Sequence, residues 1–259
     1  MGTLYGEPTE AAIGVKMSSA LEARNSLPTA SKRGRGYVRD AWTIAAKDLR
    51  IELRTGEIVT TAGFFASLVA IMTSVAFSTG AATTTRIAPG AIWLSVAFAS
   101  VLALGRTWQR ERDDGAMLGI LVTPIARASL FVGKAIGVFA FVTAVELIVV
   151  PVVALLFHVD LPDVAAPLAA VLVLGTIGVA ATGTLFGAMT VRTRARDLVL
   201  ATVLFPLLSP TLVCGVAATR EIFLGGGFPE IGDYLMLLGT FDAVGILGGI
   251  ALFGALVDD

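Results

Sequence analysis

Six apolar runs, nearly free of charge, decide what this chain can fold into. They cover 58–85 (apolar as far as Phe77), 87–105, 131–157, 164–191, 198–219 and 234–257. Lys134 and Glu146 interrupt the third run and Asp242 the last. A helix needs about 20 such residues to cross roughly 30 Å of hydrocarbon at 1.5 Å per residue. Membrane β-strands would be about 10 residues long and would alternate in polarity, and these runs do neither. The expected fold is therefore all-α: a polytopic membrane protein with six transmembrane helices.

Composition removes the main competitors. Of 259 residues, 56% are hydrophobic and 15% charged, and the mean hydropathy is +0.84. A soluble domain carries about 25% charged residues. A water-facing globular enzyme is thus excluded, as is disorder over most of the length. A net charge of −1 gives no basic field for nucleic acid. One Cys and one His cannot build a disulfide framework or a multi-ligand zinc site. Cys214 reads as a small apolar residue within span five, and His158 as a polar tip ending span three.

Topology follows from the basic residues. Of the 19 lysines and arginines, all but Arg86 and Arg220 fall before span one, between spans two and three or at the very start of span three (Lys134), or between spans four and five. The positive-inside rule places these segments, and both termini, in the cytoplasm. Residues 1–36 mix Gly, Pro, Ser, Thr and charge without an apolar period and are expected to be a disordered cytoplasmic tail, leaving 37–259 as the membrane domain. No apolar core of a signal peptide sits near the start. Residues 40–57 read as an amphipathic elbow helix in the interface, with Trp42, Ala45, Leu49 and Leu53 on one stripe and Lys47, Arg50 and Arg54 on another. Gly56 allows the turn into span one.

The stretch 109–133 is the most elaborate connector. Glu111, Arg112, Asp113, Asp114 and Gly115 give a short helix an acidic start, Met117, Leu118 and Leu121 give it an apolar edge, and Pro124 stops it. Such a helix suits docking into a groove on a soluble partner; an amphipathic loop resting on the membrane fits equally well. Arg192, Arg194, Arg196 and Asp197 form a tighter turn that is either a second contact or a topogenic loop. Two acids lie within the spans. A charge at the position of Glu146 costs roughly 2.5–3.5 kcal/mol on insertion scales, so Glu146 should face the bundle interior, be paired, or carry a proton. Asp242 lies nearer an interface and reads first as an internal hydrogen-bonding anchor. Gly175, Gly178, Gly183 and Gly187, with Gly245, Gly248 and Gly249, permit close helix packing within the bundle or across a homodimer. No P-loop is present, so the chain does not cradle a nucleotide itself.

These features together resemble a known family. Lys47-Asp48-Leu49-Arg50 with Glu52 and Arg54 precedes span one, and Arg86-Ile87-Ala88-Pro89-Gly90 with Trp93 opens span two. Glu111 to Gly115, Leu121, Pro124-Ile125 and Lys134 follow, then Arg192 to Asp197, Phe205-Pro206-Leu207, Pro210 and Phe241-Asp242. Their order over about 37–259 resembles haem exporter protein B, the CcmB family of cytochrome c maturation. The resemblance implies an exporter-type ABC permease subunit in the bacterial cytoplasmic membrane, which is not itself an enzyme. ATP would be used by a separate cytoplasmic ATPase subunit. A haem-handling membrane protein and a periplasmic haem chaperone are the implied further partners. No cofactor is expected to bind directly, and haem is the implied cargo. Alternatives are an ABC permease for a lipid or drug, a coupling scaffold that drives release of haem-loaded chaperone without transport, and an ion-coupled carrier using Glu146 as its proton site.

Overall fold

A bilayer offers the backbone no hydrogen-bonding partner, so each apolar run must satisfy its own amides as a helix. In a computed structural model, which describes residues 33–77, 81–113, 126–190 and 196–258, the described residues are helical apart from short turns and contain no strand. The helices are α1 (Arg33–Thr55), α2 (Glu57–Ala76), α3 (Ala81–Asp113), α4 (Arg127–Phe157), α5 (Leu161–Thr190), α6 (Arg196–Phe223) and α7 (Phe228–Asp258). Six of them, α2 to α7, are long and apolar enough to cross a membrane. Helix α1 begins at Arg33, inside the stretch expected to be tail; residues 1–32 lie outside the described residues.

Helix α3 is the most buried span, packed against α2, α4, α5 and α6, while α2 and α7 stand at opposite edges. The edge helices turn large side chains outward, including Phe64 and Val75 on α2 and Met236 and Leu247 on α7. In lipid such side chains gain nothing by burial, so helix association rests on close packing. The core accordingly uses small and β-branched residues: Ala88, Val96, Ala99 and Ala103 on α3, and Val138, Val145, Val149 and Val153 on α4, are fully buried.

The glycines of α5 serve this packing in a particular way. A Cβ at Gly175 would overlap the Trp93 ring, one at Gly183 the Leu104 side chain, and one at Gly187 the Trp108 ring. Each hollow admits a large side chain of α3. Only Gly245 on α7 brings backbones together in the manner expected from sequence: a Cβ there would lie 3.5 Å from Ala181 Cβ and 4.0 Å from the Thr182 amide.

Pro206 and Pro210 lie inside α6 without ending it. Pro210 has no amide hydrogen to give the Pro206 carbonyl. The Ser209 hydroxyl donates to that carbonyl instead, at 2.6 Å, which repairs the lost bond. His158 caps α4 in the left-handed conformation (φ 56°) and is the one non-glycine with positive φ among the described residues. Its amide donates to the Ala154 carbonyl and that of Val159 does so too at 3.0 Å, which closes the helix and turns the chain into α5.

Candidate functional site

The end of the bundle that carries α1, called here the elbow end, is tied together by polar contacts that the apolar pattern does not announce. Lys134, at the start of α4, gives its Nζ to Asp48 Oδ2 of α1 at 2.7 Å. Both side chains are buried, and Lys47 also approaches Asp48, at 3.2 Å. The helices meet closely because residue 133 is glycine: a Cβ there would lie 2.7 Å from the Ala41 carbonyl and 2.8 Å from Ile44 Cβ. Gly56 then takes a left-handed φ of 61° between α1 and α2. Glu52, buried on α1, reaches across this break and accepts the Val59 amide at 2.9 Å, satisfying one of the open donors at the start of α2. On the surface, Arg106 of α3 donates to Glu57 of α2 at 2.9 Å. Asp48, Glu52 and Arg106 thus connect α1 with α2, α3 and α4. In the sequence, residues 114–125 join α3 to α4, two of the helices in this frame.

The face of α1 that packs on the bundle differs from the stripe expected. Ala41, Ile44, Ala45, Asp48 and Glu52 are the buried set. Trp42 and Leu53, assigned to the apolar stripe, are exposed at 63% and 85%, as suits an interfacial helix presenting a greasy side to lipid. The spacing of Asp48 and Glu52 from Ala41 and Ala45, at three- and four-residue steps, is the signal in the sequence that puts these acids on the buried face.

Of the expected docking residues, Glu111, Arg112 and Asp113 do not open a short helix as expected but end α3, because the helix of span two runs on without a break to Asp113, and Arg196 and Asp197 open α6. Asp114, Gly115, Leu118, Leu121 and Pro124, with Arg192 and Arg194, lie outside the described residues.

Both intramembrane acids are buried. Glu146 accepts a hydrogen bond from the Thr176 hydroxyl of α5 at 2.5 Å and lines a cavity of 290 Å³ between α4 and α5, beside Thr143 and Pro151. It faces the bundle, as burial cost demands. Asp242 is different from the anchor expected: among the described residues neither carboxylate oxygen has a hydrogen-bond partner. It points at Gly178 on α5, where a Cβ would lie 2.6 Å from Asp242 Oδ1 and 3.2 Å from Thr211 Oγ1 of α6. Glycine at 178 is therefore the condition for an acid at 242. Among the described residues no three His, Cys, Asp or Glu come together to hold a metal ion.

Comparison with known proteins adds the following. The family model described as CcmB protein matches residues 39–256. A protein named Heme exporter protein B from Paracoccus denitrificans is 33% identical over 182 residues, which is 68% of this chain and 80% of that relative. Proteins of the same name from Bradyrhizobium diazoefficiens and Rhodobacter capsulatus are 27% and 29% identical, each over 69% of this chain and about four-fifths of the relative.

Proposed function

The chain belongs to the CcmB family, and from that membership we propose that it is the membrane permease subunit of an ABC-type system that exports or delivers haem for c-type cytochrome biogenesis. The observation that carries this reading is the extent of the match, which takes in all six spans together with the elbow helix. A permease without a P-loop needs an ATPase on another chain. We place that subunit against 111–124, with 192–197 as its second contact, in the cytoplasm. The frame at the elbow end supports this: Asp48–Lys134 and Arg106–Glu57 fasten both helices that flank the first segment. The haem-handling membrane protein and the periplasmic haem chaperone complete the system, and the bilayer is the cytoplasmic membrane of a bacterium.

Deletion and affinity purification test the reading. A strain lacking this chain should lose holo-cytochrome c and regain it on complementation. The tagged chain should bring down a P-loop ATPase and a haem protein from solubilised membranes. Unchanged holo-cytochrome c in the deletion strain overturns the proposal.

A further inference from the structure

A carboxyl group buried in hydrocarbon is costly unless its oxygens are hydrogen-bonded. Glu146 is only half provided for. Thr176 donates to Oε1, and no donor among the described residues reaches Oε2. Along α4 the residue stands about 18 Å from His158 and about 28 Å from Arg127 at 1.5 Å per residue, well inside a hydrocarbon layer roughly 30 Å thick. Neither water nor a headgroup supplies a donor at that depth.

The helix wall beside Glu146 has the same deficit. Pro151 has no amide hydrogen to give the Leu147 carbonyl. In α6 the Ser209 hydroxyl makes good the equivalent loss, but the residue before Pro151 is Val150, which has no hydroxyl. Thr143, about one turn from Glu146, has a buried hydroxyl with no partner among the described residues. Thr143, Glu146 and Pro151 all line the 290 Å³ cavity between α4 and α5, and the rest of its lining is aliphatic. Leu147, Ala169 and Val173 at its rim are exposed, so the cavity is a groove that opens sideways to lipid. Its volume is close to the lower end of the roughly 300–1,000 Å³ of small-molecule sites, which leaves room for one ring and the start of a chain.

We propose that this groove binds a lipid-soluble phenol, as carried by a membrane quinol, with the phenol hydroxyl donating to Glu146 and the ring held between Pro151 and the leucines of α5. The site is separate from haem delivery and does not rest on it. Glu146 Oε2 and the Leu147 carbonyl are acceptors, so the ligand must bring a donor, and it must dissolve in hydrocarbon to arrive. Phospholipid chains bring no donor to this depth, and a fatty acid would set a second acid beside Glu146. A phenol places a hydroxyl, both donor and acceptor, on a flat apolar ring. The oxidised quinone has carbonyls only, so the groove distinguishes the two redox forms.

The test uses the full chain in phosphatidylcholine nanodiscs with tritiated decylubiquinol, kept reduced, and with its quinone and its dimethyl ether, each against empty nanodiscs. The quinol should bind saturably and about tenfold more tightly than the quinone or the ether, as befits one hydrogen bond to a carboxylate. Glu146→Gln keeps the oxygen that Thr176 holds and turns amide hydrogens to the groove, so this variant should bind the quinone more tightly than the quinol. A role in packing alone would not reverse that order. Ala169→Phe, at an exposed rim position, should abolish binding of both at an unchanged elution profile. Equal binding of quinol and quinone by the wild type overturns the proposal, as does the wild-type order in Glu146→Gln. Should Glu146→Gln fail to insert, the other two arms decide: ether binding equal to that of the quinol, or undiminished quinol binding by Ala169→Phe, overturns it. Loss of holo-cytochrome c on deletion of the chain is a separate readout and stands under either result.

Discussion

At the residue scale, the Asp48–Lys134 pair is the costliest contact to break. Removing one partner of a buried pair leaves the other charge uncompensated, at about 3–5 kcal/mol, whereas replacing both with apolar residues is often neutral. Asp48→Ala should therefore lower the midpoint of heat-induced aggregation in detergent markedly, and Asp48→Leu with Lys134→Met should recover most of it. Equal losses from the single and double changes would show that the pair contributes no coupling. The exposed Arg106–Glu57 pair is worth about 0–1 kcal/mol, so Glu57→Gln should barely move the same midpoint. Glu146 poses a separate question. Its Oε1 accepts from Thr176, and a glutamine keeps that oxygen. Glu146→Gln should insert at the wild-type level yet reduce holo-cytochrome c, if the charge or proton takes part in the transport cycle. Normal level with normal yield would leave Glu146 a packing anchor.

At the element scale, the proposal is that an ATPase acts through the connector between α3 and α4 on the frame that α1 completes. Asp114 and Leu118, the acid and the apolar residue that the sequence places on this connector, motivate one substitution pair, Asp114→Lys with Leu118→Asp. This double variant should remain in the membrane at normal abundance and lose the ATPase in pull-downs; retention of the ATPase at the wild-type level would count against docking there. Helix α5 shows how far periodicity reads. Its glycines were visible as a small-residue stripe, but Gly175, Gly183 and Gly187 each accept a side chain from α3. A stripe reports that something approaches closely and is silent on what, because the partner residue lies about 80 positions away in the chain. Helix α6 makes the converse point. Two prolines suggest a broken span, and Ser209 supplies the hydrogen bond that keeps it continuous.

At the scale of the whole molecule, orientation is the property most open to a direct check. If both termini are cytoplasmic, as the basic residues predict, a single cysteine at Gly225 or Gly226, in a Cys214→Ala background, should react with an impermeant maleimide added outside cells. One at Arg112 or Thr193 should react only after permeabilisation. The reverse pattern would invert the bundle and remove the docking segments from any cytoplasmic ATPase. By itself the sequence determined the class of fold, the number of spans, the elbow and the family, because each follows from local quantities: the length of an apolar run, the period of a helix, the order of motifs along the chain. Burial of Glu146 was legible too, since the cost of a charge in hydrocarbon admits few alternatives. The tertiary structure alone decided which face of α1 meets the bundle, that Lys134 answers Asp48 across 86 residues, that Asp242 faces Gly178 with no donor among the described residues, and that Arg220 lines a groove between α3 and α6. These are pairings between distant helices. In a bilayer they are chosen by the fit of side chains into hollows and by the need of each buried polar group for a partner, and neither quantity exists until the helices are side by side.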